Sequence, residues 1–135
     1  MIEKAVYGIG DATFQAAGGE TGVKALVEEF YLQMSTLDSA KTIRAMHGDD
    51  LTVTKDKLFR FLCGWMGGAK LYQEKYGAIA IPLAHNHLDI GTEEVDAWLE
   101  CMQKALQKQN YPEDLQQYLL KRLAIPAGLC QTRHS

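Results

Sequence analysis

Between Val23 and Met34 the apolar residues fall at Val23, Leu26, Val27, Phe30, Tyr31 and Met34. These spacings lay one continuous stripe along a helix. Gly18-Gly19 precede it, and Thr21 is placed to cap its start. A second stripe, Leu58, Phe61, Leu62 and Trp65, predicts a helix from about Thr54 to Met66 that Gly67-Gly68 ends. A third, Val95, Trp98, Leu99, Met102 and Leu106, follows Thr92 as N-cap. Glu93 and Glu94 sit in its first turn, where acidic groups favour the helix dipole. After the break Asn110-Tyr111-Pro112, a fourth stripe uses Leu115, Tyr118, Leu119 and Leu123 and is expected to stop before Pro126.

The segments between are shorter. Residues 1–19 read as an extended arm with one helical piece around Ala12 to Ala17. Ser35 to Lys41 reads as a polar loop and Lys41 to Met46 as one helical turn. His47-Gly48-Asp49-Asp50 is a break in which Gly48 supplies backbone freedom. Lys70 to Gly77 reads as a short helix carrying Leu71, Tyr72 and Tyr76, and Ala78 to Asp89 as irregular chain with Pro82 and two histidines. No segment alternates as a strand does, and there are no repeats or low-complexity tracts. The fold class is all-α, with four main helices.

Composition narrows this picture. The 135 residues suit one domain with a radius of gyration of about 14 Å. At 47% apolar the chain should fold. A ligand some 10 Å across, on the order of a domain's own radius, fits only if the helices splay around it. The net charge of −3, without long runs of one sign, argues against a nucleic-acid partner. No apolar run approaches the ~20 residues that span a bilayer, and Met1-Ile2-Glu3-Lys4-Ala5-Val6 lacks the blocks of a signal peptide. The expected compartment is the cytoplasm, with no membrane partner. Cys63, Cys101 and Cys130 are odd in number and form no C-x-x-C, so reduced thiols are expected, with Cys130 near the tail as a redox candidate.

Candidate chemistry rests on few side chains. Of four histidines, His134 lies in the tail and is expected to be solvated, His47 lies in a break, and His85 and His87 share an otherwise apolar loop. Any one of them, taken alone, is most simply a structural or surface histidine. The H-x-H spacing does not make a zinc site, because the cysteines are not paired with it at usual spacings. There is no G-x-S-x-G elbow, no P-loop and no dinucleotide fingerprint, and Gly8-Ile9-Gly10 is a lone pair of glycines. Tyr31 and Trp98 fall on inward helix faces, each with a polar group that needs a partner when buried. That partner is either backbone or water, or a polar ligand in a cavity.

Four stretches, taken in order, resemble the group II truncated haemoglobins, globins of two-over-two helical fold. They are Ala17-Gly18-Gly19 leading to Phe30-Tyr31; Met46-His47-Gly48-Asp49-Asp50-Leu51; Phe61 to Gly68 with Leu71-Tyr72; and His85 to Met102, with Ile90-Gly91 closing six residues past the histidine. The resemblance spans roughly residues 16–128. It implies one globin-like haem domain over residues 1–135, with residues 1–16 as an extension and 129–135 as a tail. It also implies haem b as cofactor, with His85 as the proximal iron ligand, since His87 does not fit the spacing to Ile90-Gly91 and Trp98. Tyr31 and Trp98 fall on the distal tyrosine and tryptophan, and His47 on a further position facing the ligand. Thr54 and Leu58 fall on the distal helix wall, and Phe61 and Leu62 on positions that pack against porphyrin. The chain departs from the family pattern at Ala84, where an arginine usually meets a haem propionate. Lys70, Tyr72 or Lys75 are the candidate substitutes. His87 and Leu88 replace the usual proline and phenylalanine, and the stretch from Tyr31 to His47 is longer than in some members.

The implied function is reversible binding of dioxygen, nitric oxide and carbon monoxide at a five-coordinate iron. Tyr31, Trp98 and His47 are expected to donate to the charge that develops on bound dioxygen. Slow oxygen release suits redox chemistry better than oxygen transport, so nitric oxide oxidation or peroxide turnover with an external reductase is the implied enzyme activity. A monomer or weak homodimer is expected. The competing reading is a haem-free helical module that binds a partner, with Tyr31 and Trp98 as core residues.

Overall fold

The computed structural model describes residues 6–133, the side chains at 83 and 84 excepted. The expectation of a solvated His134 lies outside them. All regular structure among the described residues is helical. The helices are α1 (Ala12–Ala16), α2 (Gly19–Thr36), α3 (Lys41–Ala45) after a 3-10 turn at Asp38–Ala40, α4 (Thr52–Trp65), α5 (Leu71–Tyr76), α6 (Ile81–His85), α7 (Thr92–Lys108) and α8 (Glu113–Leu129).

The four predicted stripes carry the packing. α2 packs against both α4 and α7, and α7 against α8, so a pair formed by α2 and α4 faces a pair formed by α7 and α8. Val23, Leu26, Phe30 and Met34 of α2 are buried with Cys101, Met102, Ala105 and Leu106 of α7 and with Leu115, Leu119 and Leu123 of α8. Each large apolar side chain so enclosed contributes about 1.5–3 kcal/mol. The remaining helices hang on this frame: α5 packs on α4, α3 on α2 and α7, and α6 on α8.

Where Ser35 to Lys41 was expected to loop, α2 runs on to Thr36 and a 3-10 turn forms at Asp38–Ala40, and four further boundaries differ from expectation. α2 starts two residues before Thr21, because Gly18 at φ 95° turns the chain into the helix. Its early start also needs Gly22, where a Cβ would lie 1.9 Å from the Ala17 carbonyl oxygen. Tyr111 donates to that same oxygen at 2.8 Å and so ties the start of α8 to the corner before α2. α7 is capped by Gly91 rather than Thr92, and the Gly91 N–H donates to the Glu94 carboxylate at 2.8 Å. α6 forms where irregular chain was expected, with Pro82 in its first turn, where a missing N–H costs no intrahelical bond. α8 runs through Pro126 to Leu129, with Ala127 buried beyond the proline. Packing of that last turn outweighs the one hydrogen bond the proline removes.

Asp56 joins α4 to α5. Its carboxylate accepts from Arg60 at 3.0 Å, from Lys75 at 2.9 Å and from the Tyr76 hydroxyl at 2.6 Å. The hydrogen bonds from Lys75 and then Tyr76 hold its pKa down at about 2. A lowered folded pKa gives stability that is present above the unfolded value of about 4 and is lost as pH falls toward the folded one. We therefore expect that, in acid titration followed by circular dichroism, Asp56→Asn removes a loss of stability that the wild type shows between about pH 4 and about pH 2. The variant should already be less stable at neutral pH. Superimposable acid profiles for the two proteins would show that the cluster does not link α4 to α5.

Candidate functional site

Every described helix except α1 contributes to the wall of one cavity of about 420 Å³. That is within the range of small-molecule and cofactor sites. Thr54, Leu58 and Phe61 project from one face of α4 at spacings of four and three, and all three line it. Leu62, one residue round the helix, does not: it is fully buried in the core behind α4. Ile81, Leu88 and Ile90 supply apolar surface from α6 and the loop after it, and Leu123, Pro126 and Ala127 supply it from α8.

His85 ends α6 and is half-buried on the cavity wall. Its Nδ1 lies 2.7 Å from the Ile81 carbonyl oxygen. A carbonyl only accepts, so Nδ1 carries the proton and Nε2 of the neutral ring keeps its lone pair. This is how a histidine is held for metal ligation. His87 also reaches the cavity wall but is exposed. Among the described residues no three His, Cys, Asp or Glu side chains gather as a metal site. The cavity therefore offers imidazoles singly and no chelating cluster, which suits a metal that arrives with ligands of its own.

Tyr31 and Trp98 reach the same cavity from α2 and α7. Phe30 stands between them, its ring centroid 4.9 Å from each. Tyr31 is only 5% exposed. Burial pushes its phenol well above the ordinary range, so it keeps its proton and is a donor. Every fully enclosed side-chain polar atom among the described residues has a partner. Neither the Tyr31 hydroxyl nor the Trp98 indole N–H is bonded to another described residue, and both side chains line the cavity. A backbone partner is thus absent for both among the described residues, which leaves water or a polar ligand as their partner.

His47 faces Tyr31 edge-on at 6.0 Å and lines the cavity. Its Nδ1 is 2.8 Å from the Ile43 carbonyl oxygen, the same arrangement as at His85. With the proton of a neutral ring at Nδ1, its Nε2 offers a lone pair. Tyr72 lines the cavity as expected of a polar wall residue, but Lys70 and Lys75 do not. Lys75 is held by Asp56 instead. The lysine on the wall is Lys57, whose ammonium lies 5.3 Å from the centre of the Tyr76 ring.

Lys57, Glu94 and Cys130 are cavity residues that sequence reasoning did not select. Lys57 had a readable signal, since it precedes Leu58 on the helix face that carries Thr54 and Phe61. Cys130 had none, because its place depends on α8 continuing past Pro126. All three cysteines are free, with Cys63 and Cys101 in the core and Cys130 half-buried. Burial raises each thiol to about 11, which leaves little thiolate at neutral pH.

Comparison with known proteins gives this site its class. The sequence profile of the Bacterial-like globin family matches residues 12–130. The group 2 truncated hemoglobin YjbI of Bacillus subtilis is 31% identical over 117 residues, covering 87% of this chain and 86% of that protein. Among solved structures, the cold-adapted truncated hemoglobin of Pseudoalteromonas haloplanktis superposes with a TM-score of 0.86 at 30% identity, over 90% of this chain and 98% of that one. The group II 2-on-2 hemoglobin of Agrobacterium tumefaciens gives 0.85 at 30% identity, over the whole of both chains. The chain belongs to the bacterial-like globin family and has the truncated, two-over-two form of the globin fold. The family implies haem, an iron porphyrin. The site fits it: one imidazole with its Nε2 lone pair free, apolar walls, and two unpaired donors on a shared cavity.

Cys130 gives a direct test that the cavity is the cofactor's. Iodoacetamide should label Cys130 before the buried Cys63 and Cys101, and slowly at neutral pH because of its raised pKa. Adding haem to the apoprotein should slow Cys130 labelling severalfold, as read by mass spectrometry of peptides. Equal rates with and without haem would place the cofactor away from Cys130.

Proposed function

We propose that this globin binds haem through His85 Nε2 and holds diatomic gases, dioxygen foremost, with hydrogen bonds from Tyr31 and Trp98. The observation that carries the proposal is the pair of unpartnered donors, one on a buried side chain, on the same cavity as an imidazole whose Nδ1 is bonded to a carbonyl. When bound, haem supplies an iron that takes diatomic ligands reversibly and passes electron density to them.

The chain's own residues do the rest. Leu58, Phe61, Ile81 and Leu88 offer apolar faces to a porphyrin. Lys57 and Tyr72, both on the cavity wall, would meet its propionates in the absence of the arginine that Ala84 replaces. The Ile81 carbonyl orients His85 and makes its imidazole more basic. Tyr31 and Trp98 donate to a ligand atom that carries negative charge, and a hydrogen bond of that kind contributes about 1.5–3 kcal/mol. A weakly polarised ligand such as carbon monoxide gains less. Neutral His47 offers an acceptor to Tyr31 or to water, which orders the donors without adding a third.

Two measurements test this. Purified protein should show a Soret band, lost or strongly shifted in His85→Ala and unchanged in His87→Ala. A colourless protein would favour the haem-free interaction module, and an unchanged His85→Ala spectrum would remove the proximal assignment. In the haem protein, Tyr31→Phe and Trp98→Phe should each speed oxygen dissociation by about tenfold or more, since each 1.4 kcal/mol is tenfold. Carbon monoxide dissociation should change much less. Equal small effects on both gases would contradict the assignment of the two donors.

A further inference from the structure

The family match ends at residue 130, yet the residues just beyond it close onto the loop that follows His85. The Thr132 and Arg133 N–H groups both donate to the Ile90 carbonyl, at 2.8 and 2.9 Å. In return the Ile90 N–H donates to Thr132 Oγ1 at 2.8 Å, and that hydroxyl gives its proton to the Leu88 carbonyl at 2.5 Å. Two tail residues are thus bonded across three loop residues. Leu88 is itself tied to the histidine, its N–H donating to the His85 carbonyl at 3.0 Å.

The guanidinium of Arg133 adds a charged layer. It reaches Asp89 at 2.8 Å, Glu94 at 3.0 Å and Glu93 at 3.2 Å. Glu94 is nearly enclosed and lines the cavity, and the oxygen that meets Arg133 also accepts from Gly91 N–H. Without Arg133, three carboxylates would crowd the start of α7, one of them buried. This contact explains Gly91 as well. Its φ of −105° suits any residue, but a Cβ there would come within 2.3 Å of the guanidinium.

We infer that Thr132 and Arg133 are positioning residues for His85: the C-terminal clip holds the path of the chain from His85 to α7, and so sets how firmly the imidazole holds haem iron. The inference rests on the haem reading above. Leu88, Ile90 and Glu94, the residues the clip grips, are also cavity wall, so a displaced clip moves the floor of the site along with the ligand. The simpler alternative is that the tail only staples the end of α8, which would change stability but not the proximal side.

The test uses the haem protein and the variants Arg133→Ala, Arg133→Lys and Thr132→Val. Haem transfer to excess apomyoglobin gives the loss rate, and resonance Raman of the ferrous protein gives the iron–histidine stretching band. Arg133→Ala should lose haem about threefold faster or more at low salt and shift that band, with Arg133→Lys restoring most of both. High salt should speed loss from the wild type and leave Arg133→Ala nearly unchanged, since screening acts on the ion pairs. If Arg133→Ala does not fold, Thr132→Val, which keeps every charge, is read in the same way. Wild-type loss rates and an unmoved band overturn the inference, even with a lowered melting temperature. A wild type that takes up no haem overturns the functional reading, and the inference with it, before any variant is compared.

Discussion

Phe30 sits at the one contact on which the rest of the site depends. It is fully buried on α2, and its ring meets Tyr31 on its own helix and Trp98 on α7 at the same distance. Aromatic contacts of this kind add about 0.5–1.5 kcal/mol to the area they bury. Their greater effect here is directional. Because α2 and α7 are locked at this level, the phenol of one helix and the indole of the other open onto a single cavity. Were the two helices to slip by one residue, one donor would turn into the core and need a partner there.

The cavity therefore holds polarity that folding leaves unused. Tyr31 as a whole is buried, yet its hydroxyl is not an enclosed orphan, so the fold can leave it without a protein partner. Such an arrangement persists where a ligand completes it. Several acceptors around the cavity, by contrast, are already committed: the Ile81 and Ile43 carbonyls each bond a histidine Nδ1, and Glu94 is held by Gly91 and Arg133. In the proposed function, protons for a ligand come from Tyr31 and Trp98, and the lone pair for a metal comes from His85. That division of roles follows from which hydrogen bonds the fold has made and which it has left open.

Much of the fold and site is legible in the sequence, and the rest is not for identifiable reasons. The stripes of α2, α4 and α7 are long enough for periodicity to show, and spacing alone puts Tyr31, Leu58, Phe61 and Trp98 on inward faces. The short α6 has too few residues for a period, and its proline reads as irregular chain, although a first-turn proline is compatible with helix. The continuation of α8 through Pro126 is decided by burial of Ala127, a tertiary effect that overrides a local signal. Leu62 is expected on the porphyrin with Phe61, but adjacent helix positions point about 100° apart, and Leu62 takes the core side. The acceptor role proposed for His47 cannot be read from sequence at all, since it depends on a bond to a backbone carbonyl.

The central claim is that Tyr31 and Trp98 give their protons to a ligand on a haem held by His85. It is tested most directly by proton NMR of the ferric haem protein with cyanide bound. The account predicts exchangeable, strongly shifted resonances from the Tyr31 hydroxyl and the Trp98 indole N–H, each removed by its own substitution to phenylalanine and both dependent on His85. Shifted spectra with neither of these protons, or ones that survive both substitutions, would contradict it.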